Sequence, residues 1–297
     1  MESETGSLNH KPFYPPVNRD LEKVLVNFIK QETSRFGINK CVIGLSGGID
    51  SAVSAYLAVE ALGKKNVLAI LIPYKASNPT SISDALIIVR DLGIKSRIID
   101  ITGAVDSLAE SVLPDSVSPA KSRKLNSLHD KVRKGNIIAR MRMICLYDIS
   151  NEYGAFVLGT SNKTELLLGY STIFGDAASA LNPLGDLYKT QIWQLAKLLK
   201  IPARIIKKKP SADLWTGQSD EGEFGFTYKD ADELLYYMID QRLSDSELIS
   251  TGFKASFIKH IKKIIQRSQF KRLPPIIAKV SNRTVNIDFR YNRDWGS

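Results

Sequence analysis

One short segment combines glycine, hydroxyl and carboxylate residues at a spacing suited to binding phosphate. Ser46-Gly47-Gly48-Ile49-Asp50-Ser51 directly follows an apolar run and precedes a helical pattern. Because Gly47 and Gly48 lack Cβ atoms, consecutive backbone N–H groups can converge there, and the helix N-terminus adds positive potential. Ser46 and Ser51 add hydroxyl donors. The segment therefore predicts a binding site for pyrophosphate groups.

Asp50 introduces a negative charge into this phosphate-binding segment. A carboxylate there would repel bound phosphates unless a divalent cation such as Mg²⁺ lay between them. A Gly-Gly turn in which Asp50 caps the following helix accounts for the same pattern without any ligand. The segment lacks the Gly-Lys-Ser/Thr ending of a Walker A loop and the G-x-G-x-x-G spacing of dinucleotide-binding folds. The residues alone leave a metal-assisted phosphate site and a capped turn as alternatives.

Strand and helix patterns alternate along the chain around this segment. Short apolar runs predict strands, and a 3.6-residue apolar period predicts helices, two of which should end at Gly63 and Gly93. The predicted strands are 41–45, 67–72, 97–101 and 155–158, and the predicted helices are 21–29, 52–62, 83–92, 136–151 and 189–199. This alternation predicts an α/β fold, with an open parallel sheet of about five strands flanked by helices. Ligands of such sheets gather at the carboxyl ends of the strands.

We expect residues 1–297 to form a single domain, with a lead-in at 1–20 and a tail at 276–297. Nothing between its parts has the composition of a flexible linker. Two further helices, predicted at 230–241 and 254–267, follow the alternating region. We therefore expect one α/β domain with a C-terminal helical appendage.

Residues 208–227 lack the apolar periodicity of the segments on either side. An irregular stretch of about 20 residues inside a compact domain indicates either function or a wrong assignment. Its glycines, together with Ser211 and Asp213, suit a lid that excludes water from a reactive intermediate.

Composition places the chain among ordinary globular proteins, since 43% of its 297 residues are hydrophobic and 24% are charged. No run approaches the roughly 18 apolar residues of a membrane helix, and we expect no secretory signal. Cys41 and Cys145 form no metal-binding pattern, so we expect two reduced core thiols and a cytoplasmic location. The net charge of +10 favours polyanionic partners but does not separate nucleic acids from nucleotides.

The Ser-Gly-Gly-x-Asp-Ser pattern at 46–51 resembles the phosphate-binding loop of the ATP pyrophosphatases, which cleave ATP between its α- and β-phosphates. Later segments resemble those of one family within that group, the NAD synthetases. In order, these segments are GNIIARMRM at 135–143, LGTSNKTE at 158–165, GD at 175–176, NPL at 182–184, DLYKTQ at 186–191, PSADL at 210–214, QSDE at 218–221 and SQFKRLPP at 268–275. The chain is identified as a member of this family from about residue 21 to residue 275.

The resemblance implies ammonia-dependent amidation of deamido-NAD. In this family the nicotinate carboxylate attacks the α-phosphorus of ATP, which releases pyrophosphate and leaves an acyl-adenylate. Ammonia then displaces AMP and yields NAD. Glutamine-dependent relatives carry an N-terminal nitrilase-like domain, which the segment before the first predicted helix is too short to hold, although a separate glutaminase subunit stays open. The family is homodimeric, so we expect a homodimer that binds ATP, deamido-NAD and ammonia, without membrane or nucleic-acid partners.

The resemblance also implies roles for individual residues. Asp50 and Glu165 would bind Mg²⁺. Arg140 and Lys271 would bind deamido-NAD. Arg140 and Arg142 are two residues apart on a predicted helix, so only one of them can face that ligand. The residues implied in ATP binding are Gly44, Leu45, Ser46, Gly47, Gly48, Ile49, Asp50, Ser51, Thr160, Lys189 and Ser211.

Three positions depart from the family pattern, and all three concern the acceptor. Ile173 stands where many bacterial relatives have Lys, Ala180 where they have Asp, and Phe270 where they have His. Either other groups hold deamido-NAD, such as the arginine-rich tail at 283–293, or the acceptor specificity has changed. Two other functions stay open. One is an RNA-modifying enzyme of the same superfamily, which the charge suits but the shortage of cysteines disfavours; the other is a nucleotide-binding paralogue without activity.

Overall fold

The computed structural model describes residues 14–112, 128–215, 217–272 and 275–285. In this part of the chain, a four-stranded sheet forms the centre. Its strands are β1 Cys41–Gly44, β2 Val67–Leu71, β3 Lys95–Ile98 and β4 Phe156–Leu158. Their spatial order is β3-β2-β1-β4, and every neighbouring pair is parallel, with Cys41 opposite both Val67 and Phe156.

Helices connect and cover these strands. In chain order they are α1 Arg19–Arg35, α2 Ile49–Leu62, α3 Pro79–Leu92, α4 Thr102–Val112, α5 Leu128–Tyr153, α6 Lys163–Leu168, α7 Lys189–Leu198, α8 Ala203–Ile206, α9 Asp220–Phe224, α10 Tyr228–Leu235, α11 Asp245–Ser250, α12 Ala255–Arg267 and α13 Gln269–Arg272. The strands follow one another through helices, which is the connection that parallel pairing requires.

The predicted fold class, an open parallel α/β sheet flanked by helices, is confirmed. The described residues contain four strands rather than about five, and after β4 a bridge joins Leu158 to Leu181. β3 begins at Lys95 and ends at Ile98, whereas the sequence predicted 97–101. Because β3 lies at the sheet edge and pairs only with β2, it tolerates polar, exposed residues, and its apolar pattern is a poor guide to its bounds.

The start of α2 decides whether Asp50 caps this helix, as one of the two interpretations of the sequence requires. α2 begins at Ile49, earlier than the predicted 52, and its N-cap is Gly48. Asp50 lies in the first helical turn, so the alternative in which it caps the helix is wrong. Gly63 and Gly93 follow the last residues of α2 and α3, as predicted, with φ of +80° and +62°.

Both faces of the sheet are covered. Alternate residues of a strand point to opposite faces, so Ile43 and Leu71 pack with α1, α2 and α7 on one side. Val42 and Ile70 pack with α4 and α5 on the other side. The sheet is therefore held rigidly, and the loops at its carboxyl edge are fixed relative to one another.

The C-terminal helices form a third apolar cluster. α10, α11 and α12 contribute Leu234, Leu248 and Ile261, which pack with Leu168 of α6 and Tyr188 at the start of α7. The predicted appendage is thus confirmed. α10 continues as a π-helical turn over Tyr236–Asp240. The appendage therefore packs against α6 and the start of α7, which follow the carboxyl edge of the sheet.

Residues 208–227, predicted as irregular, contain the short helix α9.

None of the described helices is long and apolar enough to span a membrane. Both cysteines are free thiols. Cys41 is buried in β1, where burial raises the pKa of its thiol to about 12, while Cys145 is only half-buried in α5. The predicted lead-in before residue 14 and the arginine-rich tail beyond residue 285 lie outside the described residues.

Candidate active site

The loop between β1 and α2 is closely fitted to the chain around it. Gly47 has a left-handed φ of +73°, and a Cβ there would lie 2.4 Å from the Ser81 carbonyl oxygen, so glycine is required. The Ser46 hydroxyl accepts the N–H of Gly48 at 3.2 Å. The Ser51 hydroxyl donates to the Gly48 carbonyl at 3.1 Å and accepts the N–H of Ser46 at 3.3 Å. Hydroxyl and N–H donors are thereby gathered in one turn, as phosphate binding requires.

Two carboxylates and one ammonium meet beside this loop. Lys189, the first residue of α7, places its Nζ 2.5 Å from Oδ2 of Asp50 and 3.4 Å from Oε1 of Glu165. The amide of Asn162 donates to the other oxygen of Asp50 at 3.0 Å. Because β1 and β4 are neighbours, the segments that follow them lie at the same edge of the sheet. That adjacency brings together Asp50 in α2 and Glu165 in α6, which are distant in sequence.

This cluster is largely shielded from water. Lys189 is 1% exposed, and the side chains of Asp50 and Glu165 are 18% and 16% exposed. Burial alone would lower the pKa of the Lys189 ammonium, but the two carboxylates raise it well above its usual range. Burial raises the pKa of Glu165; Lys189 opposes this effect and Asp50 adds to it. The cluster therefore carries a firmly protonated lysine whose charge is shared by two acids.

Thr160 and Ser211 occupy different environments. Thr160 follows the end of β4, two residues before Asn162, and so lies at the same edge of the sheet as the loop after β1. Ser211 is exposed, and its hydroxyl accepts the N–H of Asp213 at 3.2 Å. Asp213 in turn accepts the backbone N–H of Asn78 at 2.7 Å, which attaches this segment to the start of α3.

The residues implied in acceptor binding lie around a second feature, a groove of about 530 Å³. Its lining includes Tyr147, Ile173, Phe174, Ala178, Lys271 and Arg272. Lys271 donates to the carbonyls of Gly169 and Ser171 at 2.8 and 2.7 Å. Arg140 donates to the carbonyl of Ile173 at 3.3 Å. These cations donate to neutral backbone oxygens, and the nearby Asp176 carboxylate partly offsets the charge of Lys271.

Arg142 has a separate position from Arg140. Its guanidinium donates to the carbonyl of Ile72 at 3.1 Å and to the hydroxyl of Ser77 at 3.2 Å, in the loop after β2. The two arginines therefore face different parts of the fold, as their spacing on α5 predicted.

A family model described as NAD synthase matches residues 21–275. The chain belongs to the NAD synthase family. It is 52% identical over 275 residues to the NH(3)-dependent NAD(+) synthetase of Chlorobium phaeobacteroides (strain BS1), an alignment that covers 93% of this chain and 94% of the relative. The corresponding protein of Trichlorobacter lovleyi is 51% identical over 276 residues, or 93% of this chain and 96% of that one.

Solved structures of synthetases also match this chain. An NH3-dependent NAD synthetase from Campylobacter jejuni, in complex with nitrate, has a TM-score of 0.71 and 36% identity, and covers 88% of this chain and 99% of that one. An NMN synthetase from Francisella tularensis has a TM-score of 0.74 and 33% identity, over 88% of this chain and 98% of that one. The family predicted from the motifs is therefore confirmed.

In this NAD synthase chain, the described residues contain no group of three or more His, Cys, Asp or Glu side chains arranged to hold a metal ion. Asp50 and Glu165 nevertheless direct their oxygens to one position, where they share the Lys189 ammonium. Mg²⁺ prefers oxygen ligands and is commonly held by one or two carboxylates, with phosphates and water completing its shell. The pair therefore fits the protein's share of a magnesium site that a polyphosphate substrate completes.

Two acidic residues around the candidate site were not identified from the sequence. Asp232 in α10 accepts the hydroxyl of Thr164 at 2.5 Å and both the N–H and the hydroxyl of Thr190 at 2.7 Å. These bonds fix the starts of α6 and α7, which carry Glu165 and Lys189. A charged residue among the apolar positions of a predicted helix was the signal that could have identified it.

Asp220 is a second missed residue. It is 4% exposed, and it accepts the hydroxyls of Tyr170 at 3.1 Å and Tyr228 at 2.8 Å. Burial raises its pKa, an effect that Lys189 opposes. Asp220 thus joins the charge balance around Lys189; it stands in the QSDE motif at 218–221, but inside the irregular stretch whose path the sequence does not predict.

Proposed function

We propose that this chain converts deamido-NAD to NAD by joining ammonia to the nicotinate carboxylate, with ATP cleaved to AMP and pyrophosphate through an acyl-adenylate. The amidation reaction, the class of C–N bond-forming ligase and the use of ATP agree with the family and with the NH(3)-dependent relatives. The observation that carries the proposal is the convergence of Asp50, Glu165 and Lys189 beside the glycine-rich loop after β1.

We assign the ATP phosphates to that loop. The proposed ATP-binding residues are Gly44, Leu45, Ser46, Gly47, Gly48, Ile49, Asp50 and Ser51, with Thr160, Lys189 and Ser211 from later segments. Backbone N–H groups and the two serine hydroxyls bind phosphate oxygens, and the N-terminus of α2 adds positive potential. The Lys189 ammonium is held in place before the substrate arrives, so its charge is available without reorganisation.

Asp50 and Glu165 would hold Mg²⁺ with the phosphates. When bound, the ion neutralises charge on the phosphates and on the departing pyrophosphate. Asn162 fixes Asp50 through its amide, and Asp232 fixes the helix starts that carry Glu165 and Lys189. The protein therefore contributes mainly orientation and charge, which is what adenylation of a carboxylate requires.

Residues 208–227 are proposed to cover the reacting groups. Asp213 attaches the segment to Asn78 at the start of α3, and Ser211 lies two residues away on its exposed side. Excluding water protects an acyl-adenylate from hydrolysis until ammonia arrives.

The acceptor is assigned to the groove beside Arg140 and Lys271. Ile173 in its lining adds no charge, and Ala180 and Phe270 likewise add none. One observation favours a second acceptor: the F. tularensis neighbour is an NMN synthetase. The corresponding acceptor would be nicotinate mononucleotide, which has a single phosphate and needs fewer cations than a dinucleotide.

We further propose a homodimer that works in the cytoplasm. Ile144 and Tyr147 are exposed apolar side chains on α5, and Tyr147 also lines the acceptor groove. A second copy packed there would cover these side chains and border the groove. The free thiols of Cys41 and Cys145 suit a reducing compartment.

The decisive experiment incubates the protein with ATP, MgCl₂ and ammonium, and with either deamido-NAD or nicotinate mononucleotide. Chromatography then measures AMP together with NAD or NMN. We expect equal amounts of AMP and NAD, and Asp50→Asn serves as the inactive control. NMN formation in preference to NAD would replace the proposed acceptor. Tight ATP binding without either product would establish the non-catalytic paralogue instead.

A further inference from the structure

Three consecutive lysines, Lys207–Lys209, stand at the start of the segment at 208–227, and the structure separates the middle one from its neighbours. Lys207 and Lys209 are exposed. The Nζ of Lys208 lies 3.0 Å from Oδ2 of Asp84, 3.2 Å from the hydroxyl of Ser81 and 3.4 Å from the carbonyl oxygen of Gly47. Lys208 therefore contacts the loop after β1, whereas a run of lysines ordinarily forms a solvated surface.

The ammonium is held in this place by charge. Asp84, in α3, is 4% exposed and also pairs with Nε of Arg204 at 2.6 Å. Asp84 bonds both cations and so keeps the Lys208 ammonium against the loop. The contact with Gly47 is the longest of the three, so Asp84 and Ser81 determine where the ammonium lies.

The peptide that Lys208 contacts is the one that presents the Gly48 N–H. In a trans peptide the carbonyl and the N–H point in opposite directions. With the Gly47 carbonyl directed at Lys208, the Gly48 N–H is directed to the other side, where it meets the Ser46 hydroxyl. A cation at the carbonyl also polarises the peptide and makes its N–H a stronger donor.

We propose that Lys208 is a positioning residue for phosphate binding. It holds the peptide between Gly47 and Gly48 in the orientation that offers the N–H to a phosphate. It also anchors the beginning of the segment at 208–227, three residues before Ser211, directly to the phosphate-binding loop. This inference depends on the proposed function, since it assumes that the loop binds ATP.

The test compares Lys208→Met with matched variants of its exposed neighbours, Lys207→Met and Lys209→Met. Calorimetry measures the Kd of MgATP and of inorganic pyrophosphate without acceptor, and thermal unfolding measures Tm. We expect Lys208→Met to weaken both ligands about tenfold, equivalent to about 1.4 kcal/mol. The neighbours should stay within about twofold of wild type, and Lys208→Arg should recover most of the affinity because it keeps the charge.

Four results would contradict either the inference or the proposed function on which it depends. A lower Tm for Lys208→Met with unchanged Kd values would make Lys208 only a structural ion pair with Asp84. Equal loss in all three lysine variants would show a general effect of positive charge. Wild-type protein that binds neither MgATP nor pyrophosphate would refute the proposed function itself, whereas normal wild-type binding with unaffected Lys208→Met would refute this inference alone.

Discussion

Replacing Lys189 by Met removes the positive charge at the centre of the site while nearly preserving the length of the side chain. In the wild type, Nζ lies 2.5 Å from Asp50 and 3.4 Å from Glu165. Because Lys189 is 1% exposed, water has little room to replace the ammonium. The variant therefore leaves two neighbouring carboxylates without their shared counter-charge.

The magnitude follows from the burial of these groups. Removing one partner of a buried ion pair destabilises a protein by about 3–5 kcal/mol. The two carboxylates keep 18% and 16% exposure, so we expect the lower end, about 3 kcal/mol at neutral pH. Burial holds the pKa of Glu165 above its ordinary value of 4.5, and losing Lys189 raises it further.

The raised pKa of Glu165 makes the loss of stability in Lys189→Met depend on pH. When the folded-state pKa of an acid is raised, the folded protein keeps a proton that the unfolded chain releases. Stability therefore falls as pH rises from the ordinary value through the raised one. Up to about pH 8 the folded wild type keeps this proton as well, so the deficit of Lys189→Met relative to wild type should grow above about pH 8, and adding Glu165→Gln should remove that pH dependence.

Urea unfolding of wild type, Lys189→Met and Lys189→Met/Glu165→Gln at acidic, neutral and alkaline pH measures these effects. Lys197→Met is the matched control, because Lys197 is exposed on the same helix. The reasoning is refuted if Lys189→Met loses less than about 1 kcal/mol, at every pH, as an exposed lysine would. In that case the cluster is not stabilised by the lysine's charge.

Asp50→Asn and Glu165→Gln each preserve shape and should abolish pyrophosphate release with unchanged circular dichroism; wild-type turnover would remove that residue from the magnesium site. Residues 208–227 should gain hydrogen-exchange protection once ATP and acceptor are bound, and equal protection with and without them would contradict a lid. Burial raises the pKa of Asp232 to about 6, so wild-type stability should fall as pH rises from about 4 to about 6. Asp232→Asn should flatten that fall, as denaturant unfolding across the range would measure. Lys271→Ala should raise the KM for the acceptor at least about tenfold but the KM for ATP less than about threefold, since a charged phosphate contact is worth about 1.5–3 kcal/mol. An unchanged acceptor KM would limit Lys271 to supporting the turn that it bonds.

Local signals predicted the regular elements better than the contacts between them. Gly63 and Gly93 end their helices as predicted, because a left-handed residue after a helix is a property of the local backbone. The bounds of β3 were wrong because an edge strand such as Lys95–Ile98 needs no continuous apolar pattern. A fifth strand is not present in the described residues, where Leu181 joins β4 through a bridge and not through a strand.

The candidate site shows the same contrast between local signals, which the sequence carries, and contacts between segments, which it does not. Parallel strand order was enough to place Asp50 and Glu165 at one edge of the sheet. The positions of Lys189 and Lys208 depend on irregular segments whose path has no period in the sequence. Their contacts are set by α3, α6 and α10 packing around the loop after β1, so only the folded chain distinguishes Lys208 from the lysines beside it.

Of the three departures from the family pattern, Ile173 lines the groove proposed for the acceptor. Ile173 replaces a lysine side chain, but its carbonyl still accepts a hydrogen bond from Arg140. Lys271 and Arg272 donate mainly to neutral oxygens, although the Asp176 carboxylate partly offsets the charge of Lys271. A phosphate that enters meets these cations directly. Under the proposed function, the loop after β1 keeps its glycines and serines while the groove lacks a lysine at position 173. We therefore expect acceptor choice to change independently of ATP binding, with the number of cations in the groove deciding between a dinucleotide and a mononucleotide.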